Sequence, residues 1–230
     1  MKPNLILIPG LGANNDLLYR HQIEHLSAVL DCRCVIADQD SLDGMVASVL
    51  SCELPKFSLA GHSLGGWVAQ AVAAKAPERL EKLILMDTWT REKPDGSERL
   101  KLMAERIQQG ELEKMAEEHR EFILHPLSRQ DPKIVSTLQR IQASMPKQGY
   151  LNQLHAMLKD PDITHLARAV MAPTLVIRGA DDPLFEYDDT LFIQQTITHA
   201  KMTVVEQSGH VTPLEQPQAI TALLRLWLTS

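Results

Sequence analysis

Short apolar runs alternate with amphipathic stretches along most of the chain. The apolar runs hold four to six residues each, which suits buried strands, and the stretches between them repeat their apolar residues at helical spacing. The predicted strands are Leu5–Ile8, Cys32–Ala37, Lys56–Ala60, Lys82–Met86, Thr174–Ile177 and Met202–Val205. This alternation predicts an α/β fold, in which a mostly parallel sheet of about six strands is covered by helices on both faces.

The strand pattern is interrupted over residues 89–169. Apolar residues recur there at three- and four-residue intervals, which predicts helices, and Ser97 and Asp131 are the expected N-caps of two of them. An all-helical block between two strands of a sheet is typical of a lid. We therefore expect a core formed by residues 1–88 and 170–230, with residues 89–169 inserted as a helical cap, all in one continuous globular unit.

Composition and charge argue against several classes of function. The formal net charge of −6 argues against nucleic acid or an anionic membrane as the main partner. No apolar run approaches the roughly 18 residues of a membrane span, and Leu5–Ile8 is too short for a signal-peptide core, so we expect a cytoplasmic protein. The three cysteines do not make a disulfide framework, and no spaced set of His and Cys residues predicts a metal site.

A serine lies at the junction between a predicted strand and a predicted helix. The segment Gly61-His62-Ser63-Leu64-Gly65 follows the apolar strand and opens a helix rich in small residues. In such a strand-turn-helix context the serine is held in a strained turn, with its hydroxyl presented above the sheet. Glycines two residues to either side are needed because a Cβ there would collide with the backbone. Ser63 is therefore the predicted nucleophile, and His62 is expected to pack beside it.

A serine nucleophile needs a base, and the base needs a carboxylate to orient it. His210 follows the last predicted strand and precedes the last helix, which makes it the expected base. Asp182 lies on the loop after the preceding strand and is our preferred acid. The adjacent Asp181 and the more distant Asp87, at the end of another strand, stay open as alternatives. The order serine, aspartate, histidine differs from that of the protease folds.

Two backbone N–H groups are needed for the oxyanion of a tetrahedral intermediate. We expect one from Leu64, the residue after the nucleophile, and the other from Leu11, in the loop after the first strand. Gly10 in the same loop is expected to contact substrate. Trp89 is expected to do so too, because it follows the carboxyl end of a strand, where open α/β sheets bind ligands.

Taken together, these motifs resemble the α/β-hydrolase superfamily, and within it the compact esterase-like members with a helical cap. The resemblance covers nearly the whole chain and supports Asp182, the third residue after a glycine, as the acid. It implies that the first strand here corresponds to the family's third. Two loops depart from the family pattern: Pro9-Gly10 replaces its usual His-Gly, and Asp38–Ser41 replaces a glycine-rich loop, which shortens one wall of the pocket.

The resemblance implies a carboxylesterase-like serine hydrolase. It would cleave a small or medium carboxylic ester through an acyl-enzyme, with no cofactor and no required protein partner. A carbon–carbon bond hydrolase or a perhydrolase would use the same three side chains. A ligand receptor that kept the fold but has little turnover is the third alternative.

Overall fold

A single six-stranded sheet forms the centre of the molecule. The computed structural model describes residues 2–229, and all neighbouring strands of its sheet run parallel, in the order β2-β1-β3-β4-β5-β6. The strands are β1 (Asn4–Ile8), β2 (Asp31–Cys34), β3 (Phe57–His62), β4 (Leu80–Met86), β5 (Thr174–Gly179) and β6 (Lys201–Val205). The predicted α/β fold and its six strands are confirmed. The edge strand β2 is shorter than expected because it pairs only with β1 and stops beside the end of that strand.

Helices surround the sheet and fill the connections between its strands. They are α1 (Arg20–Leu26), α2 (Leu42–Leu50), α3 (Leu64–Lys75), α4 (Gly96–Gln108), α5 (Leu112–Ile123), α6 (Pro132–Ala143), α7 (Lys147–Lys159), α8 (Thr164–Ala167), α9 (Tyr187–Thr196), α10 (Thr212–Glu215) and α11 (Pro217–Thr229). The predicted cap Asp131 is confirmed, since its carboxylate accepts a hydrogen bond from the Lys133 N–H. Ser97 as a cap is wrong: α4 begins one residue earlier, and the Ser97 hydroxyl instead donates to Glu92.

The two faces of the sheet bury separate apolar clusters. Successive side chains of a strand point to opposite faces. Thus Ile6 and Ile8 of β1 pack with the side covered by α2 and α3, whereas Leu5 and Leu7 pack with the side that holds α1 and α11. Helix α3 runs through the larger cluster and is buried nearly all round, which matches its small and apolar sequence. The sheet and α3 together form the rigid base of the site.

Five helices, α4 to α8, lie between β4 and β5, and the described part of this segment contains no strand. Their apolar residues join both clusters of the core: Leu154 and Met157 on one side, Leu138 and Ile141 on the other. The segment thus shares the two apolar clusters of the core and has no separate core. Among residues 2–229, no helix combines the length and apolar content needed to cross a membrane. The cytoplasmic location stays a prediction.

Candidate active site

Ser63 occupies a sharp turn between β3 and α3. Its φ of 53° is in the left-handed region, which is strained for a residue with a side chain. The flanking glycines make the turn possible: a Cβ on Gly61 would lie 2.2 Å from the carbonyl oxygen of Gly65, and one on Gly65 would lie 2.1 Å from that of Ile8. The collision with backbone expected from the sequence is therefore present at both glycines.

The structure brings Ser63, His210 and Asp182 together. His210 Nε2 lies 3.0 Å from Ser63 Oγ, and His210 Nδ1 lies 2.9 Å from Asp182 Oδ2. The other carboxylate oxygen of Asp182 accepts from the N–H groups of Leu184 and Phe185, at 2.8 and 3.3 Å. An ionised carboxylate only accepts, so Nδ1 carries the proton and Nε2 is left to accept from the serine hydroxyl. The arrangement suits proton transfer from Ser63 to His210.

Neighbouring charges shift the pKa values of His210 and Asp182 in opposite directions. Burial disfavours the imidazolium of His210, but the carboxylates around it, Asp182 first and then Asp87 and Glu215, raise its pKa above 6.5. Burial likewise disfavours the carboxylate of Asp182, but the charge of His210 and its hydrogen bond lower the pKa of Asp182 below 3.8. Asp182 therefore stays ionised near neutral pH and can stabilise positive charge on His210.

The two alternative acids lie elsewhere. Asp181 is about half exposed, and its carboxylate is 3.5 Å from His125 Nε2. Asp87 is buried and accepts from the Gly179 N–H at 2.9 Å and from the N–H and hydroxyl of Thr212 at 3.0 and 2.7 Å. Burial and the charge of Asp182 raise the pKa of Asp87. Neither acid has a hydrogen bond to the ring of His210, so Asp182 alone of the three is placed to orient it.

His62, next to the nucleophile, supports the backbone of His210. Its Nε2 lies 2.6 Å from the carbonyl oxygen of His210, which can only accept, so Nε2 carries the proton. Burial, followed by the positive charge of His210, lowers the pKa of His62 to about 3, so this ring stays neutral. This placement agrees with the packing role expected from the sequence.

The two predicted oxyanion donors flank Ser63. Leu64 begins α3, so its N–H has no acceptor within the helix, and the helix dipole favours negative charge there. Leu11 lies in the loop after β1, in which the next two amides are already engaged: the Gly12 N–H donates to Gln153 Oε1 and the Ala13 N–H donates to the Gly10 carbonyl. Both leucines line the cavity in front of Ser63.

A cavity of about 140 Å³ opens in front of Ser63 and His210. Trp89 lines it as expected and stacks on Phe185, with ring centroids 5.4 Å apart. Gly10 is not among the lining residues; it packs against His62 and Ser63 and so supports the nucleophile from behind. Phe185 also lines the cavity; its place three residues after Asp182 is the one feature of the sequence that points to it. Among residues 2–229, no group of three or more His, Cys, Asp or Glu side chains is placed to hold a metal ion.

Two buried side chains tie the helical segment to the site, and the sequence pattern did not single out Gln153 for this role. Gln153 of α7 accepts from the Gly12 N–H at 2.9 Å and donates to the Ala37 carbonyl at 2.8 Å. Glu215 accepts from the Val211 N–H at 3.0 Å and from the His125 N–H at 2.8 Å. The contacts with Gly12, Ala37 and His125 join segments 141, 116 and 90 positions apart in sequence, so no local pattern indicates them. These contacts hold the loop after β1 and the loop that carries His210 against the helical segment.

Comparison with known proteins agrees with this geometry. A family model described as alpha/beta hydrolase fold matches residues 52–217. A 3-oxoadipate enol-lactonase from Acinetobacter baylyi is 29% identical over 73% of this chain, and the chain spans 61% of that relative. A thermophilic esterase from Thermogutta terrifontis is similar in structure, with a TM-score of 0.89, 26% identity and coverage of 100% of this chain and 90% of that one. An enol-lactonase from Burkholderia xenovorans has a TM-score of 0.91 at 18% identity, covering 100% and 92%.

Proposed function

Because this chain belongs to the α/β-hydrolase family, we propose that it is a serine hydrolase that cleaves small or medium carboxylic esters. The observation that carries the proposal is the hydrogen-bonded series Asp182–His210–Ser63, which ends at the cavity. A nucleophile, a base and an orienting acid within hydrogen-bond distance are the requirements of acyl transfer.

Acylation follows from these contacts. His210 Nε2 takes the proton of Ser63 Oγ as the oxygen attacks the ester carbonyl carbon, and the negative charge moves to the carbonyl oxygen. The N–H groups of Leu64 and Leu11 stabilise that oxyanion. The carbonyl re-forms as the carbon–oxygen bond to the alcohol breaks, and His210 gives its proton to the departing alkoxide. Asp182 stabilises the transient imidazolium throughout.

Deacylation uses the same residues, with a water molecule in place of the alcohol. With the alcohol gone, His210 takes a proton from a water molecule that attacks the acyl-enzyme carbonyl. The second tetrahedral intermediate uses the same two N–H donors. Its collapse returns the proton to Ser63 Oγ and releases the carboxylic acid. No cofactor is needed, since bond breaking requires only proton transfer and nucleophilic attack.

The apolar character and size of the cavity support an ester of modest length. Leu11, Leu100, Met103 and Met157 line it together with the aromatic pair Trp89 and Phe185. The esterase and enol-lactonase relatives also support ester chemistry, and a lactone is a cyclic carboxylic ester. Open-chain esters and lactones therefore both belong in the substrate panel.

Purified protein should hydrolyse p-nitrophenyl butyrate, with a pre-steady-state burst if deacylation is slow. A fluorophosphonate probe should label the protein at Ser63. Ser63→Ala should abolish both turnover and labelling, whereas Ser136→Ala, at an exposed position, should leave both unchanged. Undiminished turnover in Ser63→Ala would falsify the assignment. Stabilisation by esters with only trace turnover would instead favour a ligand receptor.

A further inference from the structure

An unpaired cation lines the otherwise largely apolar cavity. Three charged side chains reach its wall from the cap side of the site: Glu92, Lys93 and Arg99. Lys93 Nζ lies 3.0 Å from Asp189 Oδ2, and Glu92 accepts from the Ser97 hydroxyl at 2.6 Å. Arg99 is exposed, and across residues 2–229 it has no ion pair or side-chain hydrogen bond although it lines the cavity. Its guanidinium is therefore free to meet an anion.

His119 of α5 lines the same cavity as Arg99. It is close enough to both Arg99 and His210 to respond to their charges, so the three side chains share one region of the cavity. Burial, followed by the positive charges of His210 and Arg99, lowers the pKa of His119 to about 4. His119 is thus a neutral imidazole near neutral pH, able to add a hydrogen bond without adding charge.

Building on the proposed function, we propose that the ester cleaved at Ser63 also carries a carboxylate, which Arg99 binds with His119 beside it. One free cation matches one monovalent anion, whereas a phosphate monoester carries about −1.5 to −2 charge at neutral pH. The planar guanidinium fits a carboxylate through two parallel hydrogen bonds. The chain as a whole carries a net charge of −6, so a local cation is needed to attract an acidic substrate.

The test compares pairs of similar esters in which one member carries a carboxylate and the other is neutral. For the acyl side the pair is mono-p-nitrophenyl adipate and p-nitrophenyl hexanoate; for the alcohol side it is 4-acetoxybenzoate and its methyl ester. We expect the wild-type protein to prefer the charged member of at least one pair in kcat/KM. Arg99→Gln should lower kcat/KM for that charged ester by up to about 5-fold and leave its neutral partner unchanged.

A matched control comes from the same helix. Lys101→Gln also removes one positive charge from an exposed position of α4, but Lys101 does not line the cavity, so both members of each pair should react as in the wild type. Arg99→Lys should fall between wild type and Arg99→Gln, because it keeps the charge but loses the paired donors.

The outcomes separate this inference from the proposed function. If neutral esters are cleaved but neither charged ester is preferred, or if Arg99→Gln affects charged and neutral esters equally, the carboxylate site is wrong and the esterase proposal stands. If no ester in the panel is cleaved and the fluorophosphonate does not label Ser63, the esterase proposal itself fails.

Discussion

Asp87 and Asp182 are two buried carboxylates near His210, and each contacts a different part of the site. Asp182 bonds to the imidazole ring at 2.9 Å. Asp87 instead holds the backbone on either side of the site, through the Gly179 N–H before Asp182 and Thr212 after His210. One carboxylate thus sets the orientation of the ring, and the other sets the positions of the two loops that carry Asp182 and His210.

Asp182→Asn should therefore lower kcat for p-nitrophenyl butyrate by ~10³–10⁴-fold with little change in KM, since an amide no longer holds His210 in the required tautomer.

Asp87→Asn should have a much smaller effect on kcat but should lower the free energy of unfolding by about 1–3 kcal/mol, because an amide N–H₂ would face the donors of Thr212. Steady-state kinetics and urea unfolding of both variants provide the measurement. The reverse ranking in kcat would identify Asp87 as the acid.

The raised pKa of His210 predicts how activity depends on pH. Only the neutral imidazole can accept the Ser63 proton, so kcat/KM should fall as the pH drops through a pKa that lies above 6.5. Glu215 is one of the carboxylates that raise this pKa. Glu215→Gln removes that charge, so the imidazolium becomes less stable and the acid limb of the profile should move to lower pH.

Glu206→Gln is the matched control for that experiment, because Glu206 is exposed and has no hydrogen bond to the His210 loop. Profiles of kcat/KM against pH should coincide for wild type and Glu206→Gln. An acid limb that stays in place, or moves to higher pH, in Glu215→Gln would show that Glu215 does not act on His210 through its charge.

The turn at Ser63 gives a prediction about stability. Gly65→Ala would place a Cβ 2.1 Å from the Ile8 carbonyl oxygen, which belongs to backbone that cannot shift freely. We expect a loss of at least about 1–3 kcal/mol in the free energy of unfolding. Gly96→Ala is the control, since the nearest atom to its added Cβ is 3.7 Å away. Urea unfolding should leave this control within about 0.5 kcal/mol of wild type, and an equal loss in both variants would contradict the argument.

The sequence predicted the parts of the site that depend on local sterics and on strand order. The glycines around Ser63 define a turn within five residues, and a parallel sheet places the loops after its strands at one edge, which brings His210 to Ser63. The choice between Asp181 and Asp182 was harder, because the two differ by one position. The turn after β5 separates the two: the Asp182 N–H bonds to the Gly179 carbonyl and the Asp181 N–H to the Ser208 carbonyl, and only the Asp182 carboxylate lies against the His210 ring.

Contacts between the helical segment and the core could not be predicted in this way. Arg99 and Gln153 lie in amphipathic helices, where a polar residue ordinarily faces solvent. Gln153 is buried instead, and Arg99 is exposed but also lines the cavity. Whether such a residue faces the site depends on how each helix is rotated and packed, and helical spacing alone does not determine that. Gln153 meets the Gly12 loop across 141 positions of sequence, so no local pattern indicates the contact.

Gln153 therefore offers a test of how far the cap controls the oxyanion loop. Gln153→Leu keeps the bulk of the side chain but leaves the buried Gly12 N–H and Ala37 carbonyl without partners, which should cost about 1–3 kcal/mol of stability. Because Leu11 precedes Gly12, a loosened loop should also misplace the proposed oxyanion donor and lower kcat by up to about 10²-fold, with KM less affected. Gln148→Leu, at an exposed position of the same helix, should change neither quantity. Loss of stability without loss of kcat in Gln153→Leu would mean that the loop keeps its catalytic conformation without the cap.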